Sequence, residues 1–366
     1  MNIMRVLFLI QLPPPVHGAS LINDGIRESA AIQNAFHCRF VNTSPARNMR
    51  DIGRITPGKL FRTLGILGSV LKAVARFKPE LTYLSLAPTG PAFLRDALLA
   101  LMMRVFRVPV IIHLHSRGIV VARRKSRFLN RLHRLTFKDR SVIVLSDRLK
   151  KDVSGLVAPG RFRVLPNGIA RYPAVQGPKE TEMIRFLFLS NFIRAKGVLD
   201  LLRAVQLLKS RSGDFHVTMA GKFHDPVFEK EFREALQQVP MENLEVIDGV
   251  YGKEKQRLLE ESHVMVLPTY FDCFPLSLLE GMAHGMGLLS TPEGAIPDVL
   301  IDGENGVFVP PGSPEKIARA MIELIENPRR VAAFGKKGRE KFMLSYTFEV
   351  FEKNLIRILT EEMRER

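Results

Sequence analysis

Short apolar runs, each followed by a longer stretch of helical period, set the frame of this chain. Arg5–Ile10, Leu81–Leu86, Val110–Leu114, Ser141–Leu145 and Phe162–Leu165 have the length and the Val, Ile, Leu and Phe content of strands buried on both faces. The intervals between them are long enough for crossover helices, and this alternation predicts βαβ units built on a parallel sheet. A segment without periodicity, Arg171–Glu182, then carries Pro173, Gly177 and Pro178 and reads as a linker. Beyond it the alternation restarts, with strand-like runs at Ile184–Leu189, His216–Ala220, Leu244–Ile247, His263–Leu267, Gly287–Ser290 and Val307–Val309. Between two of these, Leu199, Leu202, Val205 and Leu208 form one stripe of a helix over Val198–Lys209. The expected organisation is α/β throughout: a first domain over 1–170, a linker over 171–182, a second domain over 183–346 and a terminal helix over 347–366.

A length of 366 residues suits two domains, each with its own core. The charge adds a partner class: 54 Lys and Arg against 37 Asp and Glu leave a formal +17, which suits phospholipid, nucleic acid or a phosphate-bearing substrate. Cys38 and Cys273 are too few and too far apart for a disulfide framework or a zinc cluster, so a reducing compartment, the cytoplasm, is expected. The first apolar run ends at Gln11 and three prolines with no small-residue cleavage site, so it reads as a strand and not a leader. Arg95, Asp96, Arg104 and Arg107 interrupt the apolar stretch Pro91–His115, leaving no window near the ~18 uncharged residues of a membrane span.

Two segments carry the chemistry. In Pro268–Gly285 a strand end leads into a loop with Asp272 and then a helix with Glu280, seven intervening residues later. Both carboxylates fall at the carboxyl end of a parallel sheet, where open α/β folds bind ligands, and sugar hydroxyls need such acceptors. In Phe186–Gly197 another strand end opens a helix beside Arg194 and Lys196, so free backbone N–H groups and two cations meet at one spot suited to pyrophosphate.

The first of these segments resembles the acidic E-x7-E signature of retaining glycosyltransferases of the family 4 type, the group 1 glycosyl transferases, with Asp272 where that pattern has its first Glu. The resemblance implies the GT-B architecture, two Rossmann-like domains facing across a cleft, with the helix 347–366 crossing back to the first domain. It implies a nucleotide diphosphate sugar as co-substrate, with no cofactor and no metal. Lys196 and Gly197 match the family's Lys-Gly pair that holds the donor diphosphate. Asn191 stands where the family has an Arg, and Arg194 is the cation that would compensate. Glu280 would take the ribose hydroxyls, and the loop Asp272, Cys273, Phe274, Pro275 and Leu276 would lie along the sugar and phosphates. Gly18, after the first strand, would let the backbone approach donor phosphate or acceptor, and Val164–Ile169 marks the end of the first domain. His115, at the carboxyl end of Val110–Leu114, is the catalytic candidate, with Ser116 in place of the family's Asp.

Each of these residues also has a plainer reading. Arg194 and Lys196 suit a solvated loop, and a Glu in a helix's first turn is favoured by the helix dipole alone. Gly18 and Asn167-Gly168 suit simple turns. By strand alternation His113 shares a face with His115, which suits a core role.

One feature is independent of any resemblance. Arg127, Arg131, Arg134 and Lys138 fall at helical spacing on one stripe, with Phe128, Leu132 and Leu135 on the adjacent one. Such a helix either lays its apolar stripe on the sheet, as an ordinary surface helix, or docks on anionic lipid.

The expected activity is retaining transfer of a sugar to a glycan or lipid-linked acceptor, as in bacterial surface polysaccharide assembly, in the cytoplasm or peripherally on the inner face of the cytoplasmic membrane. A nucleotide-sugar epimerase on the same fold is the nearest rival, and a non-enzymatic basic protein binding lipid or nucleic acid a second. Nucleic acid is disfavoured by the absence of Trp and the presence of only five Tyr, too few for aromatic base-stacking platforms.

Overall fold

The computed structural model describes residues 3–45, 57–172, 183–208, 215–239 and 242–365. The chain divides into two compact units, Met1–Gly168 with Phe348–Arg366, and Ile169–Thr347. Beyond Tyr172, the linker expected over 171–182 lies outside the described residues.

The first unit is a six-stranded parallel sheet of β1 (Arg5–Ile10), β2 (His37–Asn42), β3 (Leu81–Leu86), β4 (Val110–Leu114), β5 (Ser141–Val144) and β6 (Phe162–Val164), in the order β2-β1-β3-β4-β5-β6. Helices α1 (Gly18–Glu28), α2 (Ala30–Ala35), α3 (Pro57–Phe77), α4 (Gly90–Val105), α5 (Ile119–Lys125) and α6 (Arg127–Phe137) fill the connections. The strands β3, β4 and β5 are buried along their whole length, which is why they appear in the sequence as unbroken apolar runs. The strand β2 differs. It pairs only with β1, alternates half-buried with exposed positions, and carries His37, Cys38 and Arg39, so it makes no such run.

The last helix, α14 (Phe348–Arg364), belongs to this first unit. Ser29 donates to Glu352 at 2.6 Å, Arg163 pairs with Glu365 at 2.9 Å, and the Phe348 ring sits so close to Gly25 that a Cβ there would lie 2.6 Å from it.

The second unit repeats the plan with β7 (Ile184–Leu189), β8 (Phe215–Gly221), β9 (Leu244–Asp248), β10 (Val264–Leu267), β11 (Gly287–Ser290) and β12 (Gly306–Phe308), all parallel, in the order β12-β11-β10-β7-β8-β9. Its helices are α7 (Val198–Leu207), α8 (Pro226–Leu236), α9 (Gly252–Glu261), α10 (Leu276–Ala283), α11 (Ile296–Val299), α12 (Pro314–Ile325) and α13 (Pro328–Ser345).

Strand order locates the crevices. In the second sheet β7, β8 and β9 run to one side and β10, β11 and β12 to the other, so the winding reverses between β7 and β10. In the first sheet the reversal falls between β1 and β3. At a reversal the loops leaving neighbouring strands diverge, and a crevice opens at the carboxyl ends. Among the described residues no helix is long and apolar enough to cross a membrane.

Candidate active site

The loops after β7 and β10 flank the reversal in the second sheet, and they are the two segments that carry the sequence motifs. After β7 the chain makes one turn of 3₁₀ helix, Arg194–Lys196, then Gly197 with φ +70°, which is the N-cap of α7. Glycine is required here twice over. The backbone is left-handed, and a Cβ would lie 2.0 Å from the carbonyl oxygen of Pro268, at the end of β10. The two loops are also bonded together: the Ala195 carbonyl accepts from Tyr270 N–H and from the Thr269 hydroxyl, each at 2.8 Å. Ser290 and Thr291 donate to the carbonyls of Leu267 and Thr269 at 2.6 and 2.7 Å, fixing the far side of the same loop.

This scaffold brings Lys196 and Asp272 together as an ion pair whose side chains are only 19% and 12% exposed. The second oxygen of Asp272 accepts from Cys273 N–H at 2.8 Å. Helices α7 and α10 both begin here, and neither has a side-chain cap at its N-terminus. Uncapped first-turn N–H groups and the positive helix end suit an anion. Cys273, Phe274 and Pro275 turn their side chains into the core, with Phe274 edge-on to Tyr346 at 5.9 Å, so this part of the loop offers a ligand its backbone. Leu276 opens α10, and Asn191 lies between β7 and the 3₁₀ turn, half-buried.

Glu280 lies one turn further along α10 than the sequence suggested. The helix starts at Leu276, so Glu280 is in its second turn and its position does not follow from the dipole at the first. Lys255 of α9 donates to its carboxylate at 2.6 Å. The carbonyl of Glu280 accepts from His284, whose ring packs on Tyr172 at 4.3 Å. Lys255 and Tyr172 escaped the sequence reading because no local spacing links α9 or the end of the linker to α10.

Arg194 is placed differently from expectation. Its guanidinium forks onto Glu231 of α8, 2.6 Å from Oε1, and lies 5.2 Å over the Phe228 ring, with its side chain 62% exposed. The structure groups Lys196 with Asp272 and turns Arg194 toward α8.

In the first unit, His115 follows β4 directly and stacks beside His113, ring centroids 4.0 Å apart. His113 is fully buried and lies 2.5 Å from the Tyr83 hydroxyl through Nδ1. Both ring nitrogens of His115, His113 Nε2 and the Oδ1 atoms of Asn23 and Asn167 are buried without a hydrogen-bond partner in the protein. Burial, and after it the neighbouring His17, push the His115 pKa down to about 4. Burial also lowers His17 and His113. The cluster is therefore neutral at pH 7.

Gly18 opens α1, where His17 and Ser20 form a reciprocal cap: Ser20 N–H donates to His17 Nδ1 at 3.3 Å, and Ser20 Oγ accepts from His17 N–H at 2.9 Å. The start of α5 is filled from within, since Asp152 accepts from the N–H groups of Gly118, Ile119 and Val120 at 2.8 to 3.2 Å.

On α6 the side turned inward is His133, Thr136 and Phe137. Of the apolar stripe, Leu132 is half-buried, while Phe128 is 67% exposed and Leu135 is exposed beside Arg127, Arg131, Arg134 and Lys138. Leu94, Leu98 and Val105 are exposed on α4, which packs against α6.

Residues 173–341 match the family model described as glycosyl transferases group 1. The alpha-maltose-1-phosphate synthase of Mycolicibacterium smegmatis is 25% identical over 233 residues, covering 57% of this chain and 59% of that protein. The D-rhamnosyltransferase WbpZ of Pseudomonas aeruginosa is 28% identical over 165 residues, covering 44% and 41%. The matches thus span about half the length of these relatives. Among solved structures, sucrose-phosphate synthase from Thermosynechococcus elongatus superposes with a TM-score of 0.77 at 19% identity over 100% of both chains. HepE from Anabaena in complex with UDP gives 0.73 at 15% identity over 98% of this chain and all of that one. The fold is the GT-B fold of these glycosyltransferases, and residues 173–341, just under half of the chain, match the group 1 glycosyl transferases.

Proposed function

We propose that this protein is a retaining glycosyltransferase that moves a sugar from a nucleotide diphosphate donor to a glycan or lipid-linked acceptor, without a metal, in surface polysaccharide assembly. The observation that carries the reading is the meeting of Lys196 with the uncapped starts of α7 and α10 at the reversal point of the second sheet. HepE, which shares the fold, has been solved with UDP and with UDP-glucose. In this reading the bond from the anomeric carbon to the phosphate oxygen breaks, negative charge grows on the diphosphate, and Lys196 and the two helix ends stabilise it electrostatically. The acceptor hydroxyl attacks the face the leaving group vacates, and its proton passes to a phosphate oxygen. Glu280 accepts from the ribose hydroxyls, and His115, neutral, bonds a sugar hydroxyl.

The test is thermal stabilisation by UDP, GDP and ADP and their sugars, followed by product analysis of anomeric configuration with and without chelator. A ligand at 100 times its Kd adds about 2.7 kcal/mol. Failure of every nucleoside diphosphate to stabilise the protein would remove the donor, inversion at the anomeric carbon would remove the retaining mechanism, and chelator-sensitive activity rescued by Mg²⁺ would remove the metal-free one.

The same proposal includes an anionic membrane surface as partner. Exposed Arg127, Arg131 and Arg134 on α6, with Lys138 at its C-cap, flank exposed Phe128 and Leu135, and a bilayer interface accommodates both kinds of side chain at once.

A further inference from the structure

We propose that Asp272 is a positioning residue for Lys196, a latch that competes with the donor diphosphate for the ammonium group, and not an acceptor of sugar hydroxyls. The inference rests on the donor-binding reading of this site and concerns what the Asp contributes there. Both oxygens of its carboxylate already have donors inside the protein: Oδ2 is paired with Lys196 and Oδ1 accepts from Cys273 N–H at 2.8 Å. The second bond is open to a short side chain, because a carboxylate one carbon from Cβ reaches the amide of the next residue, as in turns started by Asp. A Glu at this position would extend past that amide. The Asp is also held from the other side, since Gly294, at φ +57°, packs its α-carbon against the Asp272 carbonyl, where a Cβ would come within 2.3 Å.

The pair sits largely out of water, so its charges are mutually neutralised at the point where α7 and α10 present their N-termini. A diphosphate entering there gains the helix ends at once but gains Lys196 only by drawing it from Asp272. When the nucleoside diphosphate leaves, Asp272 recaptures the ammonium. The latch therefore lowers affinity for the diphosphate product and speeds its release, and it is insensitive to the sugar.

Asp272→Asn tests this, because the amide keeps an Oδ1 acceptor for Cys273 N–H and removes the charge that holds Lys196. Calorimetry with UDP, GDP, ADP and the matching monophosphates should show the diphosphate that wild type prefers binding about three- to tenfold tighter to the variant, with slower dissociation. The monophosphate affinity and the affinity ratio of nucleotide sugar to diphosphate should not change, and in a Lys196→Met background the substitution should have no effect. Unchanged diphosphate affinity with a selective loss of nucleotide-sugar affinity would overturn the inference, assigning Asp272 to sugar hydroxyls while leaving the donor site intact. Equal tightening in the Lys196→Met background would overturn it in favour of a general charge effect. No binding of any nucleoside diphosphate to wild type would overturn the donor reading and the latch together.

Discussion

Gly197→Ala should be among the most damaging single-methyl substitutions in the second unit. Two costs add. The residue sits at φ +70°, where a side chain costs roughly 1–2 kcal/mol. The new Cβ would also lie 2.0 Å from the Pro268 carbonyl oxygen and 2.8 Å from its carbon, so one of two backbone segments must move by an ångström or more. Neither yields freely: Thr269, Tyr270 and Ser290 bond the end of β10 on both sides, and Gly197 N–H itself donates to the Arg194 carbonyl at 3.0 Å. Overpacking of this kind costs a further 1–3 kcal/mol or so, giving a total of about 2–5 kcal/mol. The movement displaces the 3₁₀ turn that carries Lys196, so nucleoside diphosphate affinity should fall in the protein that remains folded. Urea unfolding and calorimetry measure the two effects, with Gly65→Ala as control, since a Cβ there meets nothing within 4 Å and α3 should gain slightly. A Gly197→Ala variant within about 0.5 kcal/mol of wild type, with unchanged nucleotide affinity, would refute the close-approach argument.

Glu280→Gln should weaken nucleotide binding by about 1–3 kcal/mol in a folded protein, and unchanged affinity by calorimetry would dissociate Glu280 from the ribose. Lys196→Ala should lower kcat more than it raises KM, because the charge it faces grows as the bond breaks; a rise in KM alone would contradict that role. His115 should make stability depend on acid. Its folded pKa, about 4, is below the unfolded value of 6.5, so the unfolded state binds more protons between those values and stability falls as pH drops through that window. His113 acts in the same direction, so the comparison is His115→Gln against wild type: the variant should lose part of the slope between pH 6.5 and 4, and an identical slope would place the titration elsewhere. Reversing two of Arg127, Arg131, Arg134 and Lys138 should release the protein from anionic vesicles, as should salt, since the Debye length is about 8 Å at physiological ionic strength. Sedimentation indifferent to both would return α6 to an ordinary solvated face.

Most strands were legible because parallel strands covered on both faces must be continuously apolar, and β1, β3, β4, β7 and β11 begin and end where the runs do. The strand β2 was not, because an edge strand with half-exposed positions needs no such run. The motif positions were legible for a related reason. A strand end followed by Gly197, or by the loop to α10, is a local pattern, and the topology that brings the two loops together follows from the order of the strands. Partners between distant elements left no such trace. Nothing near Asp272 points to Lys196, nothing near Glu280 points to Lys255, and Glu231, which claims Arg194, lies on a helix whose own spacing is ordinary. The face of α6 was undecidable for the same reason: Phe137 and Thr136 win the inward side because of what α4 and α5 present to them, which the helix's own sequence does not record.

Electrostatics divides the two units in a way that bears on what each can bind. In the second, Lys196 and Lys255 are paired with Asp272 and Glu280, so the two uncapped helix starts supply the positive potential that an added phosphate meets first, and Lys196 joins them once it is drawn from Asp272. In the first, burial strips His17, His113 and His115 of charge, α1 is capped by its own His17, and α5 is capped by Asp152. A phosphate would lose its hydration there and gain no cation from the histidines. What that cluster lacks is hydrogen-bond partners: His113 Nε2, both nitrogens of His115 and the carboxamide oxygens of Asn23 and Asn167 are buried and unpaired within the protein. Leaving such groups unpaired costs about 1–3 kcal/mol each, and neutral hydroxyls, which donate and accept, relieve that cost without adding charge. A buried neutral cluster of this composition favours a sugar or water over an anion, just as the ammonium groups and helix ends of the second unit favour a diphosphate.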